Sequence, residues 1–581
     1  MINELIRLIK VERVDDIPLL LAQLKKMQVI LLLDEFFPTQ GPWKGELSLG
    51  EVVAGWVAFI VSAGDHRLAH VQPWAEQHLS TLSACLGRTV RPLDFSDDRL
   101  ADILDAFSAA AAWRDFETAF SAGLLRVYEL PSEQVRLDST SAKTYAGVSA
   151  DGLFQFGHSK DHRPDLRQVK INLSALDPLG LPLTTSGVGG QAADDPLYVP
   201  EIKHVQQCVG RGGKTYIGDG KMGALATRAY VAQGQDYYRC PLTGKQMPTA
   251  DLETLLKAVF RGKQKLKPVY ASHEAGEGRR EKIAEGFELG VTIEAEHEGQ
   301  AVSWPERRLV VRSLAQAAKQ AESLEKRLQQ ALTEIERLNE RRPGKKRLSA
   351  SELQQTAEQI ISRCQVAGLV KVQTHITTRQ TPKRRYGSRP AEVSVETHTR
   401  LTAQIDRPAV RQAKQRLGWR VYATNQPGLT LTQAVLAYRE QYVLERCFGR
   451  LKGRTLSVMP LYLQTDTRVV GLIRLLTIAL RLLTLVEFVA RQHLRQENAE
   501  IAGLYSGNAK RATTQPSAEM ILKAFTGLNL MVLQVEGHVQ MILSELTTLQ
   551  SRLLDLLDLS PDVYLQLIRH FLKPALILSE P

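Results

Sequence analysis

Three short stretches of the 581-residue chain place oxygen ligands where divalent-metal chemistry could use them. LDST at 137–140 and IGDG at 217–220 each close an apolar, β-branched-rich run with one aspartate, Asp138 and Asp219. YREQYVLERCFGRLK at 438–452 has the pattern of an amphipathic helix holding Glu445 and, seven positions on, Lys452. Magnesium prefers oxygen ligands, takes one or two carboxylates per ion and keeps several waters. Two such ions about 4 Å apart can activate an attacking oxygen and steady a leaving one in phosphodiester cleavage. Asp138, Asp219 and Glu445 are therefore the candidate catalytic and metal-binding residues, for two Mg2+ ions with Mn2+ as a substitute.

Each acid has a blander reading. A lone aspartate at a strand end is more often a turn residue or a helix cap. Beside Asp219, Gly220 lacks a side chain and leaves room for a phosphate or metal. In the third stretch Tyr438, Tyr442, Glu445, Gly449 and Lys452 recur at helical spacing on one face, with Arg446, Arg450 and Arg454 as an adjacent basic stripe. Glu445 could simply pair with a neighbouring arginine on a solvated surface, worth a few tenths of a kcal/mol. A face mixing aromatics, one acid and a cation suits a helix lying along a DNA backbone.

Two further clusters carry charge. GHSKDHRPDL at 157–166 crowds His158, Lys160, Asp161, His162, Arg163 and Asp165 together at a spacing that fits no common zinc site. Either a loop touching DNA phosphate through Lys160, His162 and Arg163 or a merely solvated loop accounts for it. TPKRRYGSR at 381–389 suits backbone contact or base stacking, or is a solvated charge run.

The elements that must position these groups can be read from hydrophobic periodicity. Residues 1–130 read as almost wholly helical, with Ser96 as an N-cap. From 134 the pattern turns to strands at QVRLDST, QVKINLSALD and PLTTSGVGG, a helix at 198–210, a strand at 214–220, a helix at 224–234 and an extended run at 236–243. That order is expected of an α/β, RNase H-like core with a mixed sheet covered by helices. Leu314, Ala317, Ala321, Leu324, Leu328, Ala331, Ile335 and Leu338 form a seam for a long helix; RRPGKKR at 341–347 and a helix at 350–364 complete a hairpin, followed by extended segments and a strand at 417–425. The apolar stretch 469–490 contains Arg474, Arg481 and Glu487 and reads as a buried core helix rather than a membrane span. MILSELTTLQSRLLDLL, within 519–575, reads as part of a helical tail.

Bulk composition narrows the partner. Lys and Arg exceed Asp and Glu by 11, and the pI is near 9.3. Such a balance favours a polyanion, because neutralised phosphates release condensed counterions. Ribosome-associated and membrane-surface proteins share it. Five scattered cysteines without a CxxC pair fit a reducing cytosol and offer no zinc site. The start, MINELIRLIKVERVDD, meets charges too early for a signal peptide.

Together, RLDSTS, GHSKDHRPDLRQVKINLSALD, YIGDGKMGA and the helix at 438–452 resemble the DDE-superfamily insertion-sequence transposases, in the branch with a Tyr-x2-Arg-x3-Glu-x6-Lys signature. Here the signature is Tyr438, Gln441, Glu445 and Lys452, so glutamine stands where the branch has arginine. The resemblance covers roughly 130–495 and implies a metal triad of Asp138, Asp219 and Glu445, with Lys452, Tyr438, Gln441, Arg446, Lys160 and Arg163 at DNA phosphates. It implies a helical DNA-end-binding domain at 1–130, a catalytic domain in two parts at 131–244 and 416–495, an insertion at 245–415, and a linker with C-terminal helices at 496–581. The expected partners are double-stranded DNA, as element ends and target, and a second copy in a homodimeric synaptic complex; the expected location is the cytoplasm, on the nucleoid, with no membrane. The expected activity is cleavage at terminal inverted repeats and transfer of the 3′ ends to target DNA. The alternatives are an inactive or domesticated DNA-binding derivative, or an RNase H-like nuclease without strand transfer.

Overall fold

The computed structural model describes residues 6–38, 45–145, 147, 152–160, 163–271, 281–340, 348–383, 387, 392–439, 442–535 and 538–569. Its centre is a mixed sheet, nine-stranded among the described residues. In chain order these strands are β1 (Gln134–Thr144), β2 (Arg167–Leu176), β3 (Pro182–Gly189), β4 (Thr215–Ile217), β5 (Tyr237–Pro241), β6 (Lys267–Tyr270), β7 (Lys282–His297), β8 (Gln300–Ser313) and β9 (Trp419–Thr424). They lie side by side as β3-β2-β1-β4-β5-β9-β8-β7-β6.

β1, β2 and β3 run antiparallel, as hairpin-linked strands do, while β4 and β5 run parallel to β1. Parallel neighbours need a crossover, here the helices Tyr198–Val209 and Leu225–Gln233. This is a mixed α/β architecture compatible with an RNase H-like core. β2 is buried along almost its whole length, as a strand covered on both faces must be. Beyond β5 the sheet continues: β9 pairs with both β5 and β8, and the long β7–β8 hairpin carries the sheet outward. Strands drawn from 267–313 are thus continuous with β1–β5. After β8 the chain leaves the sheet in the helices Leu314–Arg337 and Ala350–Arg363. Leu324, Leu328, Ala331 and Ile335 of the expected seam are buried against Leu353, Ala357 and Ile360. The turn at 341–347 lies outside the described residues.

The helix Asp466–Gln496 organises the rest. By length and composition it could cross a membrane, yet 89% of its apolar window is buried inside the protein. Its charged residues show how a core helix tolerates them. Arg481 Nη2 is 2.7 Å from Glu117 Oε1, both side chains fully buried, and Arg481 also donates to the carbonyls of Pro182 (2.9 Å) and Leu183 (2.7 Å). One guanidinium therefore joins the core helix, the edge strand β3 and the N-terminal helix Ala110–Val127. The helix Asp97–Phe107 crosses at Gly471, where a Cβ would sit 2.1 Å from the Leu104 carbonyl oxygen.

The chain ends depart from the all-helical expectation. A strand at Ile6–Arg13 pairs antiparallel with Asn529–Val535, which pairs in turn with His538–Leu543. The segment expected to be a helical tail is thus a hairpin before its helices at Thr548–Leu556 and Asp562–Arg569. A strand paired with the far end of the chain leaves little trace in local periodicity.

Removing one partner of a buried ion pair strands the other charge, at about 3–5 kcal/mol. Arg481→Met should therefore lower the urea midpoint of unfolding by an amount matching a loss of that size, and Glu117→Gln/Arg481→Met should recover part of it. An unchanged midpoint in Arg481→Met would contradict this role.

Candidate active site

Alternation along β1 puts Arg136, Asp138 and Thr140 on one face. Arg136 forms a buried two-bond pair with Asp177 (Nε–Oδ1 2.8 Å, Nη2–Oδ2 3.1 Å) and also donates to the Ala437 carbonyl. Four residues along, Thr140 Oγ1 accepts from Lys452 Nζ at 3.0 Å. Ala437 lies in the helix Leu431–Arg439, and Lys452 ends the helix Tyr442–Lys452. These two anchors bracket Asp138 on the strand and Glu445 on the helical segment.

Asp219 arrives from the neighbouring strand. β4 runs parallel to β1 with Arg136 opposite Ile217, so continuing the register by two residues sets Asp219 beside Asp138, just past the strand end. Burial pushes the Asp138 carboxyl above its usual range, Lys160 pulls it back, and the charge of Asp219 pushes it up again. Lys160 Nζ lies 2.9 Å from Asp138 Oδ1 and also bonds the Ser139 carbonyl. Asp219 Oδ1 accepts from the Tyr198 hydroxyl at 2.7 Å and from the Lys221 amide at 2.8 Å. Burial, then the charges of Asp219 and Asp138, hold the Tyr198 phenol well above its ordinary pKa. Tyr438 packs 4.7 Å from the Tyr422 ring; burial raises its phenol, Arg420 opposes, and Asp219 and Asp138 add to the rise.

The other candidates are placed differently. Glu445 is exposed. Arg446 pairs with Glu487 on the core helix. Arg450 joins it there at 2.5 Å and reaches Glu519 at 2.8 Å, so two of the three stripe arginines are engaged by acids, while Arg454 is exposed. Arg163 forms a surface pair with Asp165 (2.8 and 2.7 Å). Gln441, Asp161 and His162 lie outside the described residues, as does most of the 381–389 loop. A Cβ on Gly220 would meet Thr243 Cγ2 at 2.6 Å, so that glycine admits the neighbouring loop.

Hard carboxylate oxygens from Asp138 and Asp219 suit Mg2+. The Lys160 ammonium already holds a positive charge against Asp138, as a bound cation would. Among the described residues, no three His, Cys, Asp or Glu side chains converge as a metal-holding group. The structure thus draws the two aspartates together, and Glu445 stands apart from them.

Nothing in the sequence singles out Tyr198, which meets Asp219 only through the crossover from helix to strand end. The same holds for the polar groups behind Asp138. Ser139 Oγ donates to Asp194 Oδ1 at 3.0 Å, and Lys170 Nζ lies 2.8 Å from the same oxygen. Asp138, Asn172, Tyr198 and Glu201 border a cavity of about 20 Å³, room for about one water. Glu201 accepts from Ser186 Oγ at 3.2 Å and bonds Thr184, and burial pushes its carboxyl up to about 7.

No family model matches the chain, and no curated protein matches its sequence. Among solved structures, a piggyBac transposase in a synaptic complex with hairpin DNA, determined by cryo-EM, aligns at a TM-score of 0.24 and 11% identity. The alignment covers 49% of this chain and 60% of that one. A likeness that slight carries no argument about fold or function. The site stands on its own geometry.

Glu201 gives a pH prediction. Its folded pKa, about 7, lies above the ordinary 4.5, so the folded state holds the proton more tightly. The resulting stability is fully present below about pH 4.5 and is lost as pH rises through about 7. The melting temperature of the unmodified protein should thus fall across that window relative to Glu201→Gln, whose amide does not titrate. Parallel pH profiles for the two proteins would rule Glu201 out as the source.

Proposed function

We propose that the chain is a metal-dependent DNA-cutting and DNA-joining enzyme of the DDE transposase kind, built on an RNase H-like core. The observation that carries this reading is the placement of Asp138 on the central strand β1 beside Asp219 at the end of its parallel neighbour β4. The helix bearing Glu445 and Lys452 and the helix before it are both bonded to the same strand. In this reading Asp138 and Asp219 hold Mg2+, or Mn2+, and Glu445 completes the set when DNA is bound. The ions would supply an activated oxygen nucleophile and neutralise charge on the leaving oxygen. Tyr198 holds Asp219 in one orientation by donating to Oδ1, which leaves the other carboxylate oxygen for a ligand. Lys452, fixed on Thr140, presents its ammonium to a phosphate near Asp138. Lys160 must give up its hold on Asp138 as a metal binds, and then becomes a second cation for the DNA backbone.

The substrates in this reading are the inverted-repeat ends of the element that encodes the chain and a target duplex, with two copies pairing the ends. The proposed sequence is hydrolysis at each end followed by attack of the freed 3′ hydroxyl on the target. The exposed, separate Glu445 favours one alternative, a DNA-binding protein that no longer cuts.

The two readings part in a cleavage assay with full-length protein, Mg2+ and duplexes made from the DNA flanking the coding sequence. Asp138→Asn, Asp219→Asn and Glu445→Gln should each lower cleavage by more than about 100-fold, since even loss of a metal ligand's hydrogen-bond partner costs 10–100-fold. Binding of the same duplexes in EDTA should persist. Cleavage retained in a variant removes that residue from the set, and no cleavage by the unmodified protein favours the binding-only reading. Joined products on a target plasmid would distinguish a transposase from a plain nuclease.

A further inference from the structure

Between its two helical pieces and β9, the chain sends out a two-stranded ribbon. Val370–Lys383 and Glu392–Ile405 pair antiparallel over fourteen residue pairs. At its base Val370 and Leu401 are buried with the helices Leu314–Arg337 and Ala350–Arg363. Further out that cover ends, and every residue from His375 to Pro382 is exposed. At about 3.4 Å per residue, the pairs beyond Thr374–Leu401 project roughly 30 Å. A free two-stranded ribbon is marginally stable in water, so an arm of this length calls for a partner that accepts its shape.

The two faces differ in chemistry. On one, Ile376, Val393 and Val395 are exposed at 58%, 57% and 56%. On the other, register places Gln373, His375, Arg379, His398, Arg400 and Gln404 in neighbouring cross-strand rows, with Glu396 opposite Arg379 and Glu392 opposite Lys383. Cross-strand bonds hold part of this face in place: His375 Nε2 lies 3.0 Å from Thr402 Oγ1, and Thr377 Oγ1 donates to the His398 carbonyl at 3.3 Å. The segment 370–405 contains seven Lys and Arg against two Glu, a large part of the chain's net charge of +11 in a small part of its length.

We infer that this ribbon is a DNA-reading arm that lays its polar face in the major groove of a duplex. A two-stranded ribbon fits that groove, which is about 12 Å wide. Glutamine and arginine are the side chains that pair bidentately with adenine and guanine edges there. The arm is long enough to follow the groove for close to one helical turn of about 34 Å. The positive charge matches the phosphates on either side. A helical N-terminal region that holds element ends and a ribbon that reads a duplex would divide recognition between two parts of the chain. The inference rests on the reading that the partner is duplex DNA, and it is independent of whether the acidic site cuts.

The test uses full-length protein in EDTA and a fluorescent 40-bp duplex of random sequence. His375→Ala/Arg379→Ala/Arg400→Ala should weaken binding at least tenfold, with a shallower dependence on salt, while far-UV circular dichroism stays unchanged. Thr377→Lys, on the same face, should tighten binding, so a folding defect in the triple variant would not shelter the idea. Methyl green, which occupies the major groove, should compete with the protein, and distamycin, which occupies the minor groove, should not. Unmodified protein that binds no duplex sinks both this inference and the proposed function. Unmodified protein that binds the duplex while the ribbon variants bind equally well sinks the ribbon alone. Loss of self-association without loss of DNA binding in the triple variant would assign the ribbon to a second copy of the chain, and likewise overturn it.

Discussion

A guanidinium beneath a sheet has to find an acid and fill its remaining donors, and Arg136 does so with groups from distant parts of the chain. Asp177 neutralises it from the end of β2, and the Ala437 carbonyl takes another of its hydrogen bonds. A buried charge without partners is far more costly than a surface one. The strand that carries Asp138 and the helical segment that carries Glu445 are therefore held together by a requirement on neither of those acids. The contact of Lys452 with Thr140 closes the same seam from its other end. The seam beside Asp138, made by residues some three hundred positions apart, thus depends on a solvation constraint at its edge.

The same economy appears in the core helix. Arg481 and Glu117 are completely buried, and between them they touch the helix, β3 and the N-terminal helices. Apolar packing alone would allow these layers to slide past one another by a turn. Directional bonds from a fixed guanidinium allow one registration. The sheet that carries Asp138 is then held in one registration against the helices behind it.

How much of this was legible in the sequence differs by element. β1 to β5 and their crossover helices follow the periodic pattern closely, because each is a local run with its own hydrophobic signature. The pairing of Asp138 with Asp219 follows from parallel register once those strands are known. What sequence could not supply was the direction in which a helix turns. Tyr442–Lys452 shows a mixed face of aromatics, acid and cations, yet Arg446 and Arg450 point to Glu487, and Glu445 points to solvent. Helical spacing says which residues share a face, and tertiary packing decides where that face looks. Tyr198, Lys170 and Asp194 were invisible for a related reason: their partners lie across the sheet. The β7–β8 extension and the terminal hairpin escaped because strand pairing over long separations has no short-range signature.

The strand at Ile6–Arg13 emerges from the ribosome long before its partner. At about 5–20 residues per second, the chain between them takes on the order of a minute to synthesise. Throughout that time one edge of the N-terminal region has no Asn529–Val535 to hydrogen-bond with. The terminal sheet therefore acts as a seal made last, and only a chain translated through that hairpin can make it. A message cut short, or a reading frame lost, between the first strand and that hairpin yields a product whose first strand stays open and whose edge is available to other chains.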